Sequence, residues 1–254
     1  QAVAVGAENI RRVVVADQEQ EVGTPGGAQA AHKRGAGHGA NGGSTGDHAD
    51  TISSESVSRL FPAAGLVLLL VLLAANVYRA ATQSFTTDEA LTANLYVETP
   101  FRDLLTAFDA CHHVLHTLLM RLSASLLGVS ELTLRIPSLL GGASYLAAAL
   151  LLARRLLGRG PLFLVAFASL SLDPFLLDFL SAARGYGMAV GLFLWALFFL
   201  DRYFEAASPR LLTAGAVSLA LSVAANLVLA VPGVALVAAA AGLRIRRGEA
   251  SRLA

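Results

Sequence analysis

Leu60-Phe-Pro-Ala-Ala-Gly-Leu-Val-Leu-Leu-Leu-Val-Leu-Leu-Ala-Ala-Asn-Val-Tyr78 runs without a single charge between Arg59 and Arg79. At roughly 1.5 Å of helix per residue, about 20 apolar residues cross the hydrocarbon of a bilayer, so this stretch predicts a transmembrane helix with a basic residue at each end. Working outward, charge-free windows recur at Ile136–Ala153 between Arg135 and Arg154, after Arg159 as far as Asp173 and Asp178, and at Gly185–Leu200 between Arg184 and Asp201. The last window, Leu211–Leu243, would make about 50 Å of helix, too long for one upright span. It reads as a hairpin of two short helices, with Asn226 and Pro232-Gly233 as the candidate breaks. The expectation is an all-α, polytopic transmembrane bundle of about six crossings.

Composition agrees. Of the 254 residues 55% are hydrophobic and 15% charged, and the mean hydropathy is +0.61, which is membrane-protein rather than soluble-domain composition. Nineteen Lys and Arg against eighteen Asp and Glu leave a net charge of +1, so nothing here rests on bulk charge and no nucleic-acid partner is expected. A lone cysteine, Cys111, excludes an intrachain disulfide or a CxxC knuckle. Ten of the 23 glycines precede residue 58, and such a segment buries too little apolar surface to offset its ordering entropy. Residues 1–57 are therefore read as a disordered cytoplasmic tail, with His32, His38 and His48 solvated rather than gathered on a metal. Residues 58–247 form the membrane region and 248–254 a cytoplasmic end.

Val114–Leu127 is apolar but short. Val114, Leu118, Leu122 and Leu126 recur every four residues with Leu115 and Leu119 beside them, while His116, Ser123 and Ser125 lie elsewhere on the wheel. That pattern suits a helix lying in the interface. If it does not cross, the clusters Arg154-Arg155/Arg159, Arg202/Arg210 and Arg244/Arg246/Arg247 fall on the tail's side of the membrane; if it does, all move to the other side. The positive-inside rule selects the first arrangement, with both ends cytoplasmic and the acidic loop 80–135 outside.

That topology collects Thr86-Thr87-Asp88-Glu89, Cys111-His112-His113, Glu131, Arg135, Asp173, Asp178, Arg184 and Tyr186 on the outer face. Ionisable groups so close to hydrocarbon are costly unless paired, hydrated or used. Three pieces resemble the membrane glycosyltransferases of the C-type fold, in the branch related to dolichyl-phosphate-mannose-protein mannosyltransferases and bacterial lipid-linked sugar transferases. These are Phe85-Thr-Thr-Asp-Glu-Ala90 after the first span; His112-His113-Val114-Leu115 followed by Gly128-Val-Ser-Glu131-Leu-Thr-Leu-Arg135-Ile-Pro137-Ser138; and Ala183-Arg184-Gly185-Tyr186. Val114 stands where the family often has Pro. Relatives carry more spans and often a C-terminal outer domain, so the resemblance implies an N-terminal fragment or a reduced paralogue.

The resemblance implies transfer of a hexosyl or pentosyl group from a polyprenyl-phosphate donor to a protein, lipid or glycan acceptor. The reaction would take place at the extracytoplasmic face, of the plasma membrane if the source is bacterial. Elementary chemistry is compatible. The departing sugar leaves negative charge on the lipid phosphate, which Arg184 and Arg135 are suited to stabilise. Asp88 is the expected base for the acceptor hydroxyl, and Glu89 either orients the acceptor or raises the base's pKa by repulsion. One carboxylate in a single displacement implies inversion. His113 is assigned equally to the donor phosphate and to the start of the interfacial helix, and Tyr186 and Asp178 to the substrate pocket. Asp173-Pro174 marks either a second carboxylate or a helix break. No cofactor is assigned; Asp88 and Glu89 could take a divalent cation, but no further ligands accompany them. Besides membrane lipids, no other partner is implied. The rivals are a transporter or channel, which places ionisable groups mid-span, and a non-enzymatic scaffold indifferent to Asp88 and Glu89.

Overall fold

A computed structural model of the chain describes residues 45–97, 99–106, 113–246 and 248. The chain divides into two units, 1–44 and Thr45–Ala254, and every helix named below belongs to the second. The sequence readings of residues 1–44, of Cys111 and His112, and of 249–254 lie outside the described residues. Among those described there is no strand.

Helix α1 spans Thr45–Thr82, so 45–57 is helical where the sequence reading put the end of the tail. No Gly or Pro interrupts 47–61, and extending a helix that the apolar span has already nucleated adds a hydrogen bond per residue without a new nucleus. Helix α2, Thr87–Tyr96, opens on a capping box in which Thr86 and Glu89 satisfy each other's backbone N–H groups. Short α3 (Phe101–Thr106) precedes α4 (Val114–Leu127). Ser130 caps α5 (Glu131–Leu157). Helices α6 (Pro161–Ser171) and α7 (Pro174–Ser181) meet at a 63° bend, where Asp173 caps α7 through the Leu176 N–H and Pro174 takes the first helical position. Helix α8 (Tyr186–Ala206), α9 (Pro209–Ala225), a 3₁₀ turn at Leu227–Leu229 and α10 (Ala230–Arg246) complete the described chain.

Among the described residues four helices are long and apolar enough to cross a membrane, within Leu60–Thr82, Glu131–Leu157, Tyr186–Ala206 and Leu227–Arg246, and the bent α6–α7 pair makes a fifth if it is one span. The six crossings read from sequence would also need α9, whose 17 residues are fewer than the ~20 that an upright span requires. Of the two candidate breaks in 211–243, Asn226 is the one used: its backbone is extended and its side chain accepts the Val228 N–H. Pro232-Gly233 continues α10 because Pro232 lies in the first turn, where no intrahelical donor is needed.

Helix α5 is the hub, touching α1, α4, α6, α7 and α8. It meets α8 through glycines: a Cβ on Gly141 would lie 2.8 Å from the Met188 Cα, and one on Gly191 3.0 Å from the Tyr145 N. Small residues let the two backbones approach this closely. Since backbone cannot yield as a side-chain tip can, Gly141→Ala is expected to destabilise the bundle by about 1–3 kcal/mol. Gly242→Ala, whose Cβ would meet nothing within 4 Å, is the matched control, and melting midpoints in detergent make the comparison. Helix α4 buries His116, Thr117, Met120, Ser123 and Ala124 and exposes Leu122, Leu126 and Leu127. Its polar edge packs inward and its leucine edge faces away from the protein, as at a lipid boundary.

Candidate functional site

The site begins with an unfinished helix end. Where α1 stops, its last carbonyls lack intrahelical donors, and Arg135 of α5 serves one of them and the two residues just beyond the helix: one terminal nitrogen donates to the carbonyls of Ala80 and Gln83 at 3.0 and 2.5 Å, the other to Ser84 at 3.1 Å. The remaining two N–H groups hold Glu89 of α2 in a fork, Nε to Oε1 and Nη2 to Oε2, both at 2.9 Å. Glu89 also accepts the N–H of Thr86 at 2.9 Å and that of Ala183, between α7 and α8. All five guanidinium donors and both carboxylate oxygens are thus engaged, at 2% and 0% side-chain exposure, with Phe85 stacked 4.9 Å from the guanidinium carbon. Burial raises the Glu89 carboxyl pKa, but the hydrogen bonds from Arg135, Ala183 and Thr86 outweigh it and hold the group below the ordinary glutamate range.

Beside this clamp lies a cavity of about 530 Å³ lined by Arg79, Gln83, Thr86, Asp88, Asp178 and Arg184 among others, with the clamp as one wall. Two ion pairs sit on it, Arg184 with Asp88 and Arg79 with Asp178. Arg184 is anchored from behind. Ser138 Oγ of α5 donates to the Arg184 carbonyl at 3.1 Å and accepts its N–H at 3.2 Å, while His116 Nε2 lies 2.8 Å from the same hydroxyl. With its one proton committed, Ser138 can only accept from His116, which fixes the Nε2–H tautomer and leaves Nδ1 without a partner among the described residues. Burial, reinforced by nearby His113, pushes the His116 imidazole down to about 3, so it is neutral. Gly185 is pinched: a Cβ there would lie 2.4 Å from the Ala225 carbonyl oxygen and 2.8 Å from the His113 Cβ. Only glycine lets the Arg184 turn seat between α4 and α9.

Five residues singled out from sequence, Asp88, Glu89, Arg135, Asp178 and Arg184, share this one cavity. Two do not line it. Tyr186 packs between Phe179 and His113, with centroids at 4.6 and 4.9 Å, and His113 is buried at the start of α4; both support the Arg184 turn from the far side. Two roles change. Arg135 has no N–H left for a phosphate, and Glu89, fully buried and paired with Arg135, is not open to an acceptor. Asp173 caps a helix and is not a second carboxylate of the cavity. Arg79, at a span end, and Ser138, within a motif, carry no sign in the sequence of their place at the site. The pairing of Arg79 with Asp178, 99 positions on, has no local signature, although both stand at predicted outer ends of spans. Among the described residues no three His, Cys, Asp or Glu side chains come together as a metal site. No protein-family model, curated protein or solved structure matches the chain.

Proposed function

We propose that this chain is an integral membrane glycosyltransferase with a C-type-like bundle, moving a sugar from a polyprenyl-phosphate donor to an acceptor hydroxyl at the extracytoplasmic face. The observation that carries the reading is the division of labour around the cavity. One carboxylate–guanidinium pair, Glu89–Arg135, is buried and saturated, whereas Asp88 is half exposed beside Arg184. Asp88 is the base, since a carboxylate can take a hydroxyl proton only if an acceptor can reach it. Arg184 meets the charge that develops on the phosphate as the sugar leaves. With Asp88 acting as base in a single displacement, and no carboxylate acting as nucleophile, the anomeric centre is inverted.

Six crossings follow if α6–α7 is one bent span and α9 a short one. Arg155 near the end of α5 pairs with Asp201 and Glu205 near the end of α8, while Ala225 at the end of α9 abuts Gly185 at the other end of α8. Helix α9 thus runs the length of α8, which supports counting it. The arginine-rich ends opposite the cavity are cytoplasmic.

The test is sugar transfer from a polyprenyl phosphate by the full-length chain in liposomes, joined to cysteine labelling in whole cells. On a Cys111→Ser background, Asp88→Cys and Arg184→Cys are expected to react with a membrane-impermeant maleimide from outside, and Arg210→Cys only after permeabilisation. Labelling of position 88 solely from the cytosolic side would sink the proposal.

A further inference from the structure

The two rim ion pairs differ from the clamp in a way that indicates how the cavity fills. In each the arginine is the more covered partner: Arg79 is 28% exposed against 64% for Asp178, and Arg184 23% against 50% for Asp88. Arg184 is in addition tethered through Ser138 and lies 6.0 Å from the Tyr186 ring. An aspartate that swings outward regains water at little cost, because an exposed ion pair is only weakly held, whereas the covered guanidinium stays in place and must keep an anionic partner. Phosphate oxygens match the guanidinium fork as well as a carboxylate does.

We propose that Asp178 and Asp88 are placeholders: a lipid phosphate entering the cavity is taken jointly by Arg79 and Arg184, and the two aspartates withdraw. The inference rests on the donor-site reading above and deepens it, since it names Arg79 rather than Arg135 as the second phosphate-binding cation. It also ties occupancy to reactivity. Asp88 is held by Arg184 while the cavity is empty and is released to take the acceptor's proton once the phosphate has arrived.

The experiment is calorimetric titration of the full chain in maltoside micelles with dodecyl phosphate and, separately, with inorganic phosphate. Dodecyl phosphate is expected to bind the more tightly, and equal affinity for the two would overturn the lipid assignment in favour of a free anion. Arg79→Gln and Arg184→Gln are each expected to weaken binding at least about tenfold, by loss of a charge-assisted fork. Asp178→Asn, by removing the competing carboxylate, should tighten it roughly threefold or more. Unchanged or weaker binding in Asp178→Asn, or unchanged binding in Arg79→Gln, overturns the inference. Should Arg79→Gln lose its wild-type melting midpoint, Arg79→Lys and Asp178→Asn decide the matter, the first by partial retention of binding. No sugar or acceptor enters the titration. A protein that binds as described yet transfers nothing keeps the placeholders and loses the transferase reading.

Discussion

Arg135→Met is expected to cost the fold about 3–5 kcal/mol, the penalty of leaving one member of a buried ion pair without the other. The loss is compound. Glu89 would remain fully enclosed with only the Thr86 and Ala183 N–H groups, and the carbonyls of Ala80, Gln83 and Ser84 would lose their donor. Four elements come apart at this one point: the end of α1, the start of α2, α5, and the α7–α8 turn. Denaturant or thermal unfolding in micelles reads the effect. The double change Arg135→Met/Glu89→Leu should recover part of the loss, because an apolar pair leaves no uncompensated charge. A single-variant loss under about 1 kcal/mol would be that of a surface pair and would refute the clamp. The pH dependence has a defined sign. Glu89 is held below the ordinary glutamate range, so its contribution is complete above that range and fades as pH falls through the lowered value. In Glu89→Gln that acid limb disappears from the stability profile.

Asp88→Asn carries the other large effect: transfer by the full-length chain should fall by a factor of about 10²–10⁴, the usual contribution of a positioned general base. The melting midpoint should barely move, for Asp88 is half exposed and its pair with Arg184 is of the weak surface kind. Glu89→Gln should show the converse, a fall in the yield of folded protein with a smaller change in transfer per folded molecule. Adjacent carboxylates with opposite phenotypes are thus the signature of the scheme. Equal transfer by wild type and Asp88→Asn would remove the catalytic assignment.

Much of the bundle was legible because hydrocarbon imposes a length on every apolar run. The bounds of α4, the bend at Asp173-Pro174 and the break at Asn226 are each announced by local chemistry: a glycine, a proline, an amide that caps. The start of α1 was not, since a polar stretch that inherits a helix from its neighbour carries no signal of its own. Five residues of the cavity, Asp88, Glu89, Arg135, Asp178 and Arg184, were recognisable as a group, for each stands at or shortly beyond the end of a span, whereas Arg79 was not. Their roles were not. Asp88 and Glu89 are indistinguishable on paper, and what separates them is direction: at the first turn of α2, Glu89 folds back into the capping box and meets Arg135, while Asp88 points to the cavity. Contacts 46 positions apart, such as Glu89 with Arg135, follow from how helices pack and leave no trace in spacing.

The pinched Gly185 ties the cavity to a later part of the chain. Every charged residue of the cavity has been translated by position 184, yet the Arg184 turn leans on the Ala225 carbonyl, forty residues later in the reading frame. A chain cut before α9 would carry every charged side chain of the cavity and still lack the carbonyl against which the Arg184 turn rests. One wall of the Arg184 turn is therefore supplied by a helix that contributes none of the cavity's charged groups.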